Sequence, residues 1–223
     1  MTDAASLDLA VIGGGVAGLT AAHLLQRRHR VTLYERRAAL GGHTRTIEVP
    51  AGPDRGLPVD IGFIVFNHRT YPLFTRLLDQ LGVPTRESDM SFSLDCRRSG
   101  LVYASHSVGG LFAQRRNLVR PAYLVMLLEI LRFNRAARRD LRTGRLAGIT
   151  LGAYLRAQRF RPFLRDHYII PMAAAIWSSP DAEILDFPME TFARFFDNHG
   201  LLRVTDQPRW RFVAGGSRTY VAA

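Results

Sequence analysis

The first thirty-five residues alternate between apolar runs and polar or glycine positions in a pattern typical of a parallel α/β fold. Leu7 to Ile12 is a short apolar run of the kind that forms a buried parallel strand. From Leu19 to Arg28 the apolar residues recur at helical spacing, and Val31 to Tyr34 predicts a second strand. The pattern therefore predicts a strand, a turn, a helix and a strand, which is the order found in dinucleotide-binding domains.

The turn between the first strand and the helix has the spacing Gly-x-Gly-x-x-Gly, with glycines at 13, 15 and 18. Gly13 permits the tight turn, Gly15 lets the backbone approach a pyrophosphate, and Gly18 lets the helix pack closely on the strand. The free N–H groups at the start of the helix attract phosphate. Glu35 follows the second strand, 22 positions after Gly13, where its carboxylate can accept hydrogen bonds from an adenosine ribose. The alternative is a structural glycine turn in another kind of α/β protein.

The residues after the second strand bear on the identity of the dinucleotide. Glu35 would repel a 2′-phosphate, which disfavours NADP, although Arg36 and Arg37 weaken that argument. The segment Gly41 to Thr46 reads Gly-Gly-His-Thr-Arg-Thr. It resembles the flavoprotein family of amine oxidases, phytoene desaturases and protoporphyrinogen oxidases, which carry an acid, then a Gly-Gly pair six and seven residues later, then a threonine. This resemblance implies that the cofactor is FAD.

A second segment, Val59 to Asn67, resembles the Asp-x-Gly stretch that lies against the flavin in that family. Its Gly-Phe-Ile-Val-Phe-Asn sequence is similar to a bacterial branch described as predicted NAD/FAD-binding amine oxidoreductases. Without the resemblance, Asp60 would be a loop cap and its apolar neighbours a buried strand. The predicted cofactor-binding residues are Gly13, Gly14, Gly15, Val16, Ala17, Gly18, Glu35, Arg36, Gly41, Gly42, His43, Thr44, Arg45, Gly62 and Phe63.

The resemblance also implies the domain organisation: an α/β, Rossmann-type FAD-binding domain of the glutathione-reductase kind, joined to an α+β substrate domain. We expect the FAD-binding βαβ region in residues 1–75 and a mostly helical substrate domain with a few strands in residues 76–206. Residues 207–223 would begin the return to the FAD-binding domain. Members of the family continue for roughly as many residues again, so we expect this chain to represent the N-terminal half, cut short.

Further along the chain, periodicity predicts several helices and one hairpin. Arg97 to Gly100 would be the hairpin turn, and Thr150 would cap a helix. A helix ending at Pro171 and a second running on to Trp177 follow from the resemblance. The other predicted elements are helices at Tyr71–Leu81, Asn117–Thr143 and Leu151–Phe160, and strands at Ile47–Val49, Met90–Leu94 and Leu101–Tyr103.

The chain carries a net charge of +11, and all thirty of its basic residues are arginine. GC-rich codons explain this composition, and affinity for an anionic surface is the alternative. No nucleic-acid-binding motif accompanies the charge, so we expect no nucleic-acid partner. The stretch 117–143 is apolar first and arginine-rich afterwards. We favour a core helix with a solvated basic end over a helix resting on anionic lipid, because the two parts lie partly one after the other.

Other features limit the possible functions. The single cysteine, Cys96, excludes an internal disulfide, and we interpret it as structural, with a reactive thiol as the alternative. His167 lacks a helical partner at the next turn and is interpreted as a surface or core histidine. No metal-ligand spacing occurs, and neither a signal peptide nor a bilayer-length apolar run is present, so a cytoplasmic protein is expected.

Together these patterns predict the N-terminal portion of an FAD-dependent oxidoreductase that moves a hydride equivalent from a hydrophobic small molecule to flavin. The sequence identifies no catalytic residue. Two alternatives stay open. In the first alternative, the chain is a truncated or split nucleotide-binding fragment that needs a complementing C-terminal chain. In the second, it is an NAD-dependent dehydrogenase.

Overall fold

A computed structural model describes residues 5–177, 179–203 and 205–223, apart from the side chains of residues 181 and 182. The chain divides into two compact units. The first unit runs to Ser88 and includes the C-terminal segment Arg209–Ala223, and the second unit is Asp89–Pro208. The predicted boundary at residue 75 falls inside a helix of the first unit.

The secondary structure alternates between short strands and helices in the first unit and is mainly helical in the second. The strands are β1 Asp8–Ile12, β2 Arg30–Tyr34, β3 Thr46–Glu48, β4 Pro58–Asp60, β5 Val65–Phe66, β6 Thr85–Ser88, β7 Ser93–Cys96, β8 Leu101–Ala104 and β9 Trp210–Val213. The α-helices are α1 Val16–Leu25, α2 Pro72–Gln80, α3 Val108–Leu111, α4 Pro121–Arg142, α5 Leu151–Ala157, α6 Pro162–Leu164, α7 Ile170–Trp177, α8 Asp181–Ile184, α9 Met189–Asn198 and α10 Arg218–Ala222. A 3₁₀ helix at Arg115–Val119 precedes α4, and a π-helical turn at Arg165–Ile169 joins α6 to α7.

The first unit contains the predicted βαβ unit. Strands β1 and β2 pair in parallel, with Leu9 opposite Val31, and α1 connects them. β3 pairs with β4, and β9 lies between β5 and β6 in an antiparallel sheet. The fold prediction is confirmed: this is a Rossmann-like α/β unit, and the C-terminal segment returns to it.

The parallel sheet is only half covered, which corrects the prediction that β1 is a buried strand. Its residues alternate between half-buried and exposed, and Ile12 is 79% exposed. Val11 lies beside Gly18 of α1, so the helix covers one face of the sheet. Parallel strands become fully buried when helices pack on both faces. Here the face that carries Ile12 and Tyr34 is accessible to solvent.

The second unit is organised around α4, the 22-residue helix. Its buried face packs on helices α5, α6 and α9 and on the β7–β8 hairpin, whose turn at Arg97–Gly100 is as predicted. Tyr123 and Phe133 of α4 are fully buried in this core. Strand β7 begins three residues later than predicted, and α5 ends at Ala157 because the chain turns at Arg159, which has a positive φ of 54°. Among the described residues, no helix has the length and apolar content needed to cross a bilayer.

The prediction that a helix ends at Pro171 is wrong, since the helical chain continues from Arg165 through Pro171 to Trp177. Proline lacks the N–H that would reach the carbonyl of His167 four residues earlier. The hydroxyl of Tyr103 donates to this carbonyl at 2.8 Å instead. The π-helical turn lies directly before the proline, so the altered helix geometry and the external donor together accommodate Pro171.

This contact gives a test of the second unit's packing. We expect Tyr103→Phe to lower the free energy of unfolding by about 1–3 kcal/mol, because a buried carbonyl loses its donor. Tyr34→Phe is the matched control, since Tyr34 is exposed and its loss should leave stability unchanged. Urea unfolding followed by circular dichroism measures both. Equal midpoints for the two variants would contradict the account of Pro171.

Candidate dinucleotide-binding site

The Gly-x-Gly-x-x-Gly turn has the geometry that its spacing predicts. Gly13 adopts a φ of +97°, which favours glycine, and its N–H donates to the carbonyl of Tyr34 at 2.7 Å. A Cβ on Gly18 would lie 1.9 Å from the carbonyl oxygen of Gly13, so the helix approaches the turn more closely than any side chain allows. The turn therefore carries β1 directly into α1 and leaves no side chain between them.

Gly15 is the exception among these glycines, because the space around it is open. It is the N-cap of α1, with an extended backbone that any residue can adopt, and a Cβ there would come no closer than 3.9 Å to another atom. The protein's own packing thus does not demand glycine at this position. A group that approaches the backbone closely, such as a pyrophosphate, would explain the residue.

A second glycine turn lies against the first. Gly41 and Gly42 both have positive φ, and the N–H of Gly41 donates to the carbonyl of Gly14 at 2.7 Å. A Cβ on Gly42 would lie 2.9 Å from the Cα of Gly15. The two turns form one continuous backbone surface, here called the glycine cradle, made of residues 13–15 and 41–42.

Two backbone N–H groups hold the Glu35 carboxylate, one at each oxygen. The N–H of Gly14 donates to one carboxylate oxygen at 2.7 Å, and the N–H of Arg37 donates to the other at 2.9 Å. These two hydrogen bonds, that from Arg37 foremost, lower the pKa of Glu35 below its ordinary value. The carboxylate is therefore ionised at neutral pH and held beside the cradle. A carboxylate oxygen accepts more than one hydrogen bond, so both oxygens remain able to receive ribose hydroxyls.

The residues after the second glycine turn separate into exposed and buried positions. His43 and Arg45 are exposed, whereas Thr44 is buried and shares a hydrogen bond with the hydroxyl of Tyr220 in α10. A Cβ on Gly62 would lie 1.9 Å from the carbonyl oxygen of His43. The structure thus brings Gly62 and the second glycine turn together, although they are about twenty residues apart in sequence.

Phe63 is part of the first unit's core. Its ring packs edge-to-face against Phe74 at 5.5 Å and lies 6.0 Å from the ring of Tyr71. Its carbonyl accepts a hydrogen bond from the Ser217 hydroxyl. These contacts account for Phe63 without a cofactor, and its contact with a flavin stays a prediction, as do those of Val16, Ala17 and Arg36.

Sequence reasoning missed one partly buried polar cluster beside the cradle. The Asp60 carboxylate accepts hydrogen bonds from the backbone N–H and hydroxyl of Ser217, at 2.8–3.0 Å, and from the hydroxyl of Thr46 at 2.6 Å. Ser217 is fully buried. The only sequence signal was the Gly-Gly-Ser turn after β9, and nothing in the spacing linked it to Asp60, 157 residues earlier. The cluster ties the C-terminal segment to the two strands that follow the cradle.

His167, a candidate in the second unit, has a structural explanation, whereas Cys96 does not. His167 is buried, and its two ring nitrogens face the carbonyl of Phe163 at 3.1 Å and the hydroxyl of Ser99 at 2.9 Å, as expected of a core histidine. Hydrogen bonds from Ser99 lower the pKa of the Cys96 thiol. Among the described residues, no cluster of three or more histidine, cysteine or acidic side chains could hold a metal ion.

Comparisons with known proteins agree with the fold. Residues 11–81 match the NAD(P)-binding Rossmann-like domain family. The thiamine thiazole synthase of Pyrobaculum neutrophilum is 60% identical over 37 residues, which are 16% of this chain and 14% of that protein.

Solved structures with the same fold include two amine oxidases. A putrescine oxidase bound to putrescine is 19% identical with a TM-score of 0.68, and the cyclohexylamine oxidase of Brevibacterium oxydans is 18% identical with a TM-score of 0.66. Each comparison covers 98% of this chain and 48% of the other. The resemblance to amine oxidases is thus confirmed at the level of the fold, and the chain spans about half the length of these structures.

The hydrogen bonds to Glu35 lead to a pH prediction. Because its pKa is lowered in the folded chain, the ionised carboxylate stabilises the turn above the ordinary glutamate value of 4.5. This stabilisation is lost as the pH falls through the lowered pKa. Carbon-13 NMR of the side-chain carboxylates should show one glutamate with a midpoint below 4.5, and Glu35→Gln should remove that signal. A Glu35 midpoint at or above 4.5 would contradict the observed geometry.

Proposed function

We propose that this chain binds FAD through the glycine cradle and forms the first half of an FAD-dependent oxidoreductase. The observation that carries the proposal is the convergence of two side-chain-free turns beside an ionised Glu35. Gly15 lies open at their junction, at the start of α1, where backbone N–H groups and the helix dipole favour phosphate. A dinucleotide fits this arrangement, with its pyrophosphate over Gly15 and its adenosine ribose on Glu35.

FAD is favoured over the nicotinamide cofactors by the second glycine turn. A Cβ on Gly42 would lie 2.9 Å from the Cα of Gly15, and Gly62 lies against His43, so backbone from three segments meets at this site. This matches the flavoprotein pattern on which the sequence resemblance depends. Glu35 would also repel the additional phosphate of NADP. When bound, the flavin would supply the redox chemistry, and the residues of this chain would bind and orient it.

The exposed face of the parallel sheet is consistent with the binding of a polypeptide partner. Among the described residues, no helix covers Ile12 and Tyr34, which share this face with the exposed Asp8–Arg30 ion pair. A parallel sheet is normally covered on both sides. A groove of about 200 Å³ beside α1 is lined by side chains of α1, α2 and α10, among them Leu19, Leu77 and Val221. We propose that a complementing C-terminal polypeptide supplies the missing cover, in keeping with the half-length match to the amine oxidases.

The substrate class is part of the proposal and depends on composition. The aromatic side chains that suggest a hydrophobic substrate pack mainly on one another: Trp177 lies 4.8 Å from Phe187 and 5.0 Å from Phe195, and Phe192 stacks on Phe196 at 4.0 Å. They form core rather than a channel. The proposal of a hydrophobic small molecule therefore depends on the composition of the chain alone. Turnover of polar amines and not of lipids by the completed enzyme would contradict it.

Gly15→Ala tests FAD binding because it separates folding from cofactor contact. The new methyl group has room in the protein, so stability should fall by no more than about 1 kcal/mol, the typical cost of alanine at an N-cap. It would occupy the space in which a pyrophosphate approaches the backbone, so FAD affinity should fall at least about tenfold, which is ~1.4 kcal/mol. Titration of FAD fluorescence, with NAD⁺ in a parallel experiment, measures the affinity.

Gly109→Ala is the matched control, since a Cβ there also meets open space but lies in α3 of the second unit. It should leave FAD affinity unchanged. Equal FAD affinity of the Gly15→Ala and unmodified chains would contradict the proposed site. Retention of NAD⁺ and not FAD would favour the dehydrogenase alternative. If the folded chain retained neither cofactor, the proposal that this half binds a cofactor by itself would be contradicted.

A further inference from the structure

The solvent side of α4 carries a line of large apolar and basic residues that the protein's own core does not use. Leu124, Leu128, Leu131, Arg135 and Arg142 follow at intervals of four, three, four and seven residues, which places them along one line of an α-helix. All five are exposed, and Leu128 is 67% exposed. The opposite face of α4 is buried in the core of the second unit, so this line is presented on a fixed element.

Two further aliphatic side chains are exposed in the 3₁₀ helix that precedes α4. Leu118 and Val119 are exposed there, Val119 to 81%. Fully exposed aliphatic side chains are individually common, but a contiguous group of them marks an interaction surface. The group made of Leu118, Val119, Leu124, Leu128 and Leu131 is called the apolar patch below.

Positive charge borders the apolar patch at both ends. Next to Val119, a shallow cavity of about 420 Å³ is lined by Ser99, Arg116, Arg120 and Pro121. Arg116 donates to the carbonyl of Gly100 and Arg120 to that of Ser99, and each guanidinium has further N–H donors to offer.

At the other end of the patch, Arg135 and Arg142 are exposed and form no ion pair with any described residue. The acidic residues of α4, Glu129 and Asp140, are both on its buried face. No carboxylate of the helix therefore offsets the arginines at the surface.

We propose that this surface, the apolar patch with its four bordering arginines, docks the protein on the face of a lipid bilayer that contains anionic phospholipid. The aliphatic side chains would enter the interface while the guanidinium groups bind headgroup phosphates. Nucleic acid would satisfy the arginines but leave the leucines exposed. The inference does not depend on flavin binding. The proposal reverses the preference from the sequence for a core helix with a solvated basic end. In the structure, one face of α4 packs in the core and another face combines apolar and basic residues.

Vesicle co-sedimentation of the 223-residue chain tests the proposal. We expect binding to vesicles of equal parts phosphatidylglycerol and phosphatidylcholine, no binding to phosphatidylcholine alone, and weakening with salt. Replacing both Arg135 and Arg142 by Gln should reduce the partition coefficient about 25-fold, taking about fivefold per arginine. The double replacement of Arg27 and Arg28 by Gln removes the same charge from an exposed site in the first unit and should have little effect.

A second measurement tests insertion of the apolar patch. With Cys96→Ser as background, an environment-sensitive fluorophore on Val119→Cys should shift to the blue with anionic vesicles, whereas the same label on Arg28→Cys should not. Leu128→Asn should weaken binding about tenfold. Failure to bind anionic vesicles, an equal loss in the Arg27 and Arg28 variant, or an unshifted label at position 119 would each overturn the proposal. The first of these outcomes would indicate that protein covers this surface.

Discussion

The contact between two glycine turns determines how the rest of the first unit is arranged. The N–H of Gly41 donates to the carbonyl of Gly14, and Gly42 lies so close to Gly15 that position 42 has no room for a side chain. This contact brings the chain after β2 back over the start of α1. It also places the following strands beside the βαβ unit. A side chain at Gly18, Gly42 or Gly62 would separate these segments, so the same absence of side chains that opens the site to a ligand also builds it.

The C-terminal segment completes this arrangement from the far end of the chain. Val213 and Tyr220 are two of the four fully enclosed apolar residues in the small core of the first unit, beside Phe66 and Leu78. Ser217 supplies both a backbone and a hydroxyl donor to Asp60, so a partly buried carboxylate is hydrogen-bonded by a residue near the other end of the chain. The second unit is thus an insertion in the chain of the first, and the segment after the insertion contributes to the core of the first unit.

Local patterns in the sequence were sufficient for the elements and for the cradle. The glycine spacing, the acid after β2 and the helical periodicity each have short-range causes, and the structure has the βαβ unit, α2, α4 and the β7–β8 hairpin near their predicted positions. Hydrogen bonds between residues far apart in the chain could not be predicted from these local patterns. The helix through Pro171 depends on a hydroxyl donated by Tyr103, 64 residues away from the carbonyl that receives it. Neither single-sequence periodicity nor the family resemblance, from which the helix end at Pro171 was predicted, contains information about such a donor.

The two units differ in how fully their apolar residues are used, and this difference connects the two proposals. In the second unit the helices enclose an extended aromatic and aliphatic core, so the exposed leucines of α4 are surplus to folding and need another explanation. In the first unit the core is small and Ile12 and Tyr34 stand on an uncovered sheet face, where further strands and helices would complete the same fold. The chemistry of each surface decides its partner. The open sheet face combines Ile12 and Tyr34 with Thr32 and the Asp8–Arg30 ion pair, a mixture that suits polypeptide. The line on α4 instead joins leucine to arginines that form no ion pair with a described residue, which suits an anionic bilayer.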